Sequence, residues 1–315
     1  MPVIKAREIA YGRIQSPDLD LQQEFLTDFG MHLVERTATK LYMRGTDANQ
    51  YLHVTELGEP KFLGLAWYAN SETDLETLAR VSGASGIEDL DAPGGGKCVR
   101  LTDPNGYIVE VVHGIDEPDP IETIHRPVNS GTQPLNRAGV LKRLKPAPST
   151  VKRIAHGVIF TPKFAETLNW YREMLGFIGS DDLYAGEPDN VIASFSRCDA
   201  GDAYVDHHTF FTMVSDRAGL NHISFEVEDI DDVFVGHEYL ASKKKYAHMW
   251  GIGRHVPGSQ VFDYWEDPWG RVHEHWADSD RLNTHSGTNI VPVEEGLKSQ
   301  WGEEPPARFI GYVSP

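Results

Sequence analysis

The sequence predicts an α+β protein built from four strand–helix–strands modules arranged as two domains, and three observations carry that prediction. First, the chain repeats itself. VRLTDPNGYIVEVV (Val99 to Val112) and DYWEDPWGRVHEHW (Asp263 to Trp276) share Asp-Pro-x-Gly with a Glu four residues after the Gly. Ile9-Ala10-Tyr11-Gly12 likewise matches Ile154-Ala155-His156-Gly157. Second, Phe164, Leu168, Tyr171 and Leu175 fall at i, i+4, i+7 and i+11, the period of an amphipathic helix. Third, HISFEVE alternates apolar and polar residues as a strand does.

Taken in order, the first half opens with a strand at Ile9, passes Ser16-Pro17 and enters a helix from Leu19 to Phe29, stopped at Gly30. Gly64-Leu65-Ala66-Trp67-Tyr68 is a strand, followed by a Ser/Glu/Thr/Asp turn and a helix around Leu75 to Val81. The hairpin at Asp103 closes the half. The second half repeats the plan: a strand at Ile154, Thr161-Pro162, and the helix from Phe164 with Gly176 as its C-cap. His222 to Val227 is then a strand, Val233 to Ala241 a helix, and the hairpin at Asp267 ends the unit. The domains are expected at 1–114 and 151–280. Residues 115–150, rich in Pro, Asn, Ser and Gly, read as a linker with a short helix near Leu141. Residues 281–315 form a tail that packs on the second domain.

Composition sets the limits. With 315 residues, 40% of them apolar, the chain can bury two cores. A net charge of -18 argues against nucleic acid and against anionic membranes as partners. No apolar run approaches the ~20 residues of a membrane span, and the first residues lack the apolar stretch of a secretory signal, so a cytoplasmic location is expected. Two cysteines, Cys98 and Cys198, make no disulfide framework. Fourteen histidines is a high number, and most follow residue 155, which directs attention to the second half.

The halves differ at the positions that carry chemistry. His156 stands where the first half has Tyr11, His222 stands near Gly64, and Glu274 stands where the first half has Glu110. Alternation puts His222, Ser224 and Glu226 opposite Ile223, Phe225 and Val227. It groups Glu274 with Val272 and Trp276, opposite His273 and His275. Two neutral imidazoles and one carboxylate on adjacent strands leave about three coordination positions open and suit Fe(II), with Mn(II) the second choice. A lone strand histidine is usually a core residue. The comparison between repeats singles these out.

IAHGVIF, GLNHISFEV and YWEDPWGRVHEHW, in that order and spacing, resemble the two-domain type I extradiol catechol dioxygenases of the vicinal oxygen chelate (glyoxalase/bleomycin resistance) superfamily, over residues 5 to about 280. The resemblance implies four βαβββ modules in two domains, each domain a curled mixed sheet, an open barrel, with helices outside. It implies Fe(II) on His156, His222 and Glu274, and a first domain that has lost its metal. It implies catalytic roles for His208, to steady the oxygen and supply a proton, and for His255 and Tyr264, to bond the substrate oxygen; His207 is the alternative to His208. It also implies an aromatic diol and O2 as partners and a homo-oligomer, usually a tetramer in that family. Of the tryptophans, Trp250, Trp265, Trp269 and Trp276 read mainly as packing, some as pocket walls; with only Arg254 charged between Trp250 and His255, an uncharged ring substituent is expected. Two other readings use the same scaffold. A glyoxalase-like isomerase or lyase would want a fourth ligand, for which Glu110 is the one candidate, and a non-catalytic ligand-binding protein would need none of the surrounding polar groups.

Overall fold

The two halves fold around the same ladder of strands. The computed structural model describes residues 1–125 and 127–314. The first half runs β1 (Glu8–Ser16), α1 (Leu19–Asp28), β2 (His32–Arg36), β3 (Lys40–Arg44), β4 (His53–Leu57), β5 (Lys61–Tyr68), α2 (Glu72–Leu78), β6 (Glu88–Asp89), β7 (Lys97–Thr102) and β8 (Ile108–His113). The second runs β9 (Val151–Thr161), α3 (Phe164–Leu175), β10 (Ile178–Tyr184), β11 (Val191–Arg197), β12 (Val205–Asp206), β13 (Phe210–Val214), β14 (Gly219–Val227), α4 (Ile230–Lys243), β15 (His248–His255), β16 (Val261–Glu266), β17 (Val272–Ala277) and β18 (Arg281–Leu282). The tail adds β19 (Asn289–Pro292), α5 (Val293–Gly296), β20 (Ser299–Gly302) and α6 (Ala307–Ile310).

The strand orders are β2-β3-β4-β1-β5-β8-β7-β6 and β19-β10-β11-β13-β9-β14-β17-β16-β15-β20. Both are mixed sheets that curl without closing, as expected. In each, a central strand (β1 or β9) has a parallel neighbour on one side and an antiparallel one on the other. In the second sheet both edge strands come from the tail, so the segment from β19 to β20 straps one edge to the other.

Local chemistry sets the helix ends. α3 spans Phe164 to Leu175 and stops at Gly176, which takes the left-handed conformation (φ 72°) that glycine adopts without a Cβ penalty. α2 starts earlier than expected because Ser71 and Asp74 form a capping box. α4 likewise begins at Ile230, behind the side chain of Asp229, which accepts from the Asp232 N–H. The helix expected near Leu141 is absent: the chain there is irregular and largely exposed. A short helix with no surface to bury does not repay its nucleation, and Pro146 and Pro148 follow closely.

One core cluster runs through both halves. At its centre the motif glycines play reciprocal roles. A Cβ on Gly12 would lie 2.6 Å from Ile223 Cδ1, and one on Gly157 would lie 2.3 Å from Leu65 Cδ1. Each half thus leaves room for an apolar side chain of the other. His273 and His275 also serve this interface. His275 Nε2 donates to the Phe29 carbonyl (2.7 Å) and its ring stacks on Phe29, while His273 faces His53 across 3.3 Å. No helix among the described residues is long and apolar enough to cross a membrane.

Candidate active site

Strand register assembles the site. His156 on β9 is opposite Ser224 on β14, and Ser224 is opposite Glu274 on β17. His222 lies two residues before Ser224 and so shares its face. His156 Nε2 and His222 Nε2 lie 3.0 and 3.5 Å from Glu274 Oε2 and 3.3 Å from each other. All three side chains are buried, and neither Glu274 oxygen has a hydrogen-bond partner. A buried carboxylate without hydrogen bonds is costly unless a cation completes it. Two imidazole nitrogens beside it make the set fit a divalent metal.

Electrostatics set the protonation states of Glu274 and His222. Burial would raise the Glu274 pKa, but the imidazoles of His156 and His255 outweigh it and hold the carboxyl well below its usual range. Burial pushes His222 down to about 3 despite the opposing charge of Glu274. The set is therefore one carboxylate with a neutral His222 at pH 7. The His222 Nδ1–H donates to Asn221 Oδ1 at 2.6 Å, which leaves Nε2 with its lone pair toward Glu274. Asn221 is itself oriented by the tail, donating from Nδ2 to the Phe309 and Tyr312 carbonyls at 3.2 and 2.9 Å.

A second group surrounds these three. Tyr264 on β16 is opposite Glu274, and its hydroxyl is 2.8 Å from His255 Nε2, which lies 3.5 Å from Glu274 Oε1. Burial, then the charge of Glu274, raises the Tyr264 pKa well above its ordinary value, so the phenol stays protonated. Burial lowers His255. The His208 ring centre lies 4.0 Å from that of His156, the planes tilted by 39°, and burial, then His156, holds its pKa well below normal. Of the adjacent histidines, His208 lines the cavity, while His207 turns away to place Nε2 2.7 Å from Asp181 Oδ2. The two rings touch through Nδ1 atoms 3.1 Å apart. His156, His208, His222, His255 and Tyr264 thus line one cavity, and Glu274 touches three of them. The remaining walls are largely apolar, with Phe160, Phe195, Phe211, Trp250, Leu297 and Phe309 prominent; among the described residues no Lys, Arg or Asp lines them.

The first half answers the same positions differently. Tyr11 is opposite Ala66 and Ala66 opposite Glu110, the register of His156, Ser224 and Glu274. Tyr11 Oη donates to Glu110 Oε2 at 2.8 Å, and Arg100 Nε and Arg13 Nη1 approach Glu110 Oε1 at 2.9 and 3.2 Å. Guanidinium charge replaces a metal. Gly64, at the His222 position, has φ 146°, and a Cβ there would lie 2.0 Å from the Ile108 carbonyl oxygen, so no histidine fits. Glu110 is thereby committed within its own sheet and supplies no fourth ligand to the second half, contrary to the requirement of a glyoxalase-like site. Sequence reasoning missed Asn221, Asp181 and the Arg13–Arg100 pair. The last had a signal, because Arg100 precedes Glu110 by the same ten residues that separate Tyr264 from Glu274.

Residues 153–274 match the Glyoxalase/Bleomycin resistance protein/Dioxygenase superfamily. The chain is 31% identical over 301 residues to metapyrocatechase 2 of Cupriavidus necator, covering 94% of this chain and 89% of that protein. Its fold is similar to the Mn(II)-bound glyoxalase from Novosphingobium aromaticivorans, with a TM-score of 0.78 at 22% identity over 99% of this chain and 96% of the other. It is also similar to homoprotocatechuate 2,3-dioxygenase from Arthrobacter globiformis, with a TM-score of 0.79 at 18% identity over 100% and 93%.

Proposed function

The chain belongs to the Glyoxalase/Bleomycin resistance protein/Dioxygenase superfamily and, within it, is an extradiol ring-cleavage dioxygenase; on that premise we propose a mononuclear Fe(II) enzyme whose metal is held by His156, His222 and Glu274. The observation that carries the ligand assignment is the buried Glu274 carboxylate, free of hydrogen bonds and flanked by two imidazole nitrogens. The metal, when bound, supplies a Lewis acid that favours loss of a catechol proton and a common anchor for the diol and O2. The reaction balances without an external reductant: both oxygen atoms enter the product, and the ring carbon–carbon bond beside the diol breaks.

The protein's own groups manage protons and exclude water. With Asp181 ionised, His207 donates to it from Nε2, and its Nδ1 is then the acceptor for His208 Nδ1–H. That leaves His208 Nε2 to take up a proton from the diol only in passing and hand it on to oxygen, the burial that lowers its pKa favouring the second transfer. Tyr264 and His255 bond the substrate oxygen and steady its charge. The apolar walls favour a ring with uncharged substituents, since a ring carboxylate would be buried without a partner. An alkyl- or aryl-catechol should exceed a carboxylated one in kcat/KM by about 100-fold or more; a panel that ranks the carboxylated substrate first sinks this part.

Anaerobic iron analysis with catechol-dependent O2 uptake tests the main reading. Iron near one per chain, with a yellow ring-opened product, is expected. Activity restored by Mn(II) and not by Fe(II) would replace the metal and keep the reaction. His156→Ala, His222→Ala and Glu274→Ala should each lose the metal, and full iron in any of them removes that ligand from the set. The same reading carries a cytoplasmic setting and a homo-oligomer, the latter measurable by light scattering.

A further inference from the structure

Two sets of three His and carboxylate side chains among the described residues bring their ligand atoms within 4.8 Å of one another. One is the site above. The other joins three elements on the far side of β16: His237 from α4, His248 from the start of β15, and Asp263 from β16, whose neighbour Tyr264 faces the cavity. We propose that this second set is a solvent-facing site for a divalent transition metal, with Zn(II) the best-suited ion.

The Asp263 carboxylate is fully buried, yet both imidazoles beside it are about a quarter exposed, at 27% and 29%. His248 Nε2 lies 2.8 Å from Asp263 Oδ1, and His237 Nδ1 lies 3.1 and 3.2 Å from Oδ1 and Oδ2. His237 therefore straddles both oxygens, where a single directed hydrogen bond would choose one. The indole N–H of Trp265 donates to Oδ2 at 2.5 Å and fixes the plane of the carboxylate, the kind of outer partner that ligating carboxylates have. Gly251 completes the cradle: with φ 128°, it has no Cβ where one would lie 2.9 Å from Asp263 Oδ1. Two imidazoles and a carboxylate form a three-ligand set for Zn(II), and the exposed side leaves a fourth position for water. Such an ion would tie α4 to two adjacent strands. This set uses no residue of the cavity and does not depend on the ring-cleavage reading.

The test titrates Zn(II) and, separately, Co(II) into purified full-length protein, reading metal content after desalting and the visible Co(II) absorption. A His156→Ala background, deprived of the first set, should still bind one equivalent. Added to that background, His237→Ala and His248→Ala should each lose that equivalent; made alone in the otherwise wild-type protein, each should keep ring-cleavage activity. The thermal midpoint should rise with Zn(II) in the His156→Ala background and stay fixed when either second substitution is added, which separates loss of binding from loss of fold. No uptake by the His156→Ala protein overturns the proposal and leaves His237, Asp263 and His248 as a hydrogen-bonded triad. Uptake that survives both substitutions shows adventitious binding only and overturns it equally.

Discussion

Glu274 and its neighbours His273 and His275 sit side by side in the chain and serve different parts of the molecule. Strand alternation alone separates them, so this division was legible in the sequence: Glu274 turns to the cavity and both histidines to Phe29 and His53 of the first half. Their partners were not legible, because no local pattern says which surface another domain will present. The same limit hid Asn221 and Asp181, whose roles arise from groups far along the chain. Asn221→Ala should weaken metal binding about 10- to 100-fold, because His222 loses the acceptor that fixes its tautomer; chelator competition measures this, and an unchanged affinity would falsify the role. Asp181→Asn should lower kcat about 10-fold or more while the KM for the diol stays nearly constant. The amide can donate as well as accept, so it no longer forces His207 to accept from His208. A uniform change in KM alone would point to a merely structural role.

Among the elements, β1 and β9 carry the repeat most visibly, and their glycines explain why the motif reads as it does. The sequence comparison could align Gly12 with Gly157, but only the packing shows that each receives a side chain from the other half. Gly157→Ala should cost about 1–3 kcal/mol, since Leu65 is buried and has little room to retreat. Urea unfolding checks this, with an unchanged midpoint counting against it. The helix termini show the same division of labour. Gly176 is a stop signal that works locally. The early starts of α2 and α4 needed the capping geometry of Ser71 and Asp229, which a hydrophobic period does not display.

For the whole molecule, the two-fold repeat was readable, and the reason for its asymmetry was not: Gly64 cannot carry a histidine because the β8 backbone occupies the space. The halves are also joined by charge. Asp28 of α1 accepts from Tyr239 and Tyr246 at 2.9 and 2.8 Å and pairs with Lys243 at 2.8 Å, all at or just past α4. Burial would raise the Asp28 pKa, but these donors outweigh it and lower it. A carboxyl depressed on folding stabilises above its unfolded pKa and loses that contribution as pH falls through the folded value. Asp28→Ala should therefore destabilise by about 2 kcal/mol at pH 7, and the difference from wild type should narrow as pH falls below about 4; a gap that stays constant on acidification would exclude the ion pair as its source. Finally, the strap from Asn289 to Gly302 is pinned to both edges of the ten-stranded sheet, and Leu297 within it lines the cavity. A cover held at both ends couples one wall of the cavity to the stability of the sheet edges, so a substitution that frays β19 or β20 should also raise the KM for the diol; amide exchange along those strands, measured beside KM, checks this.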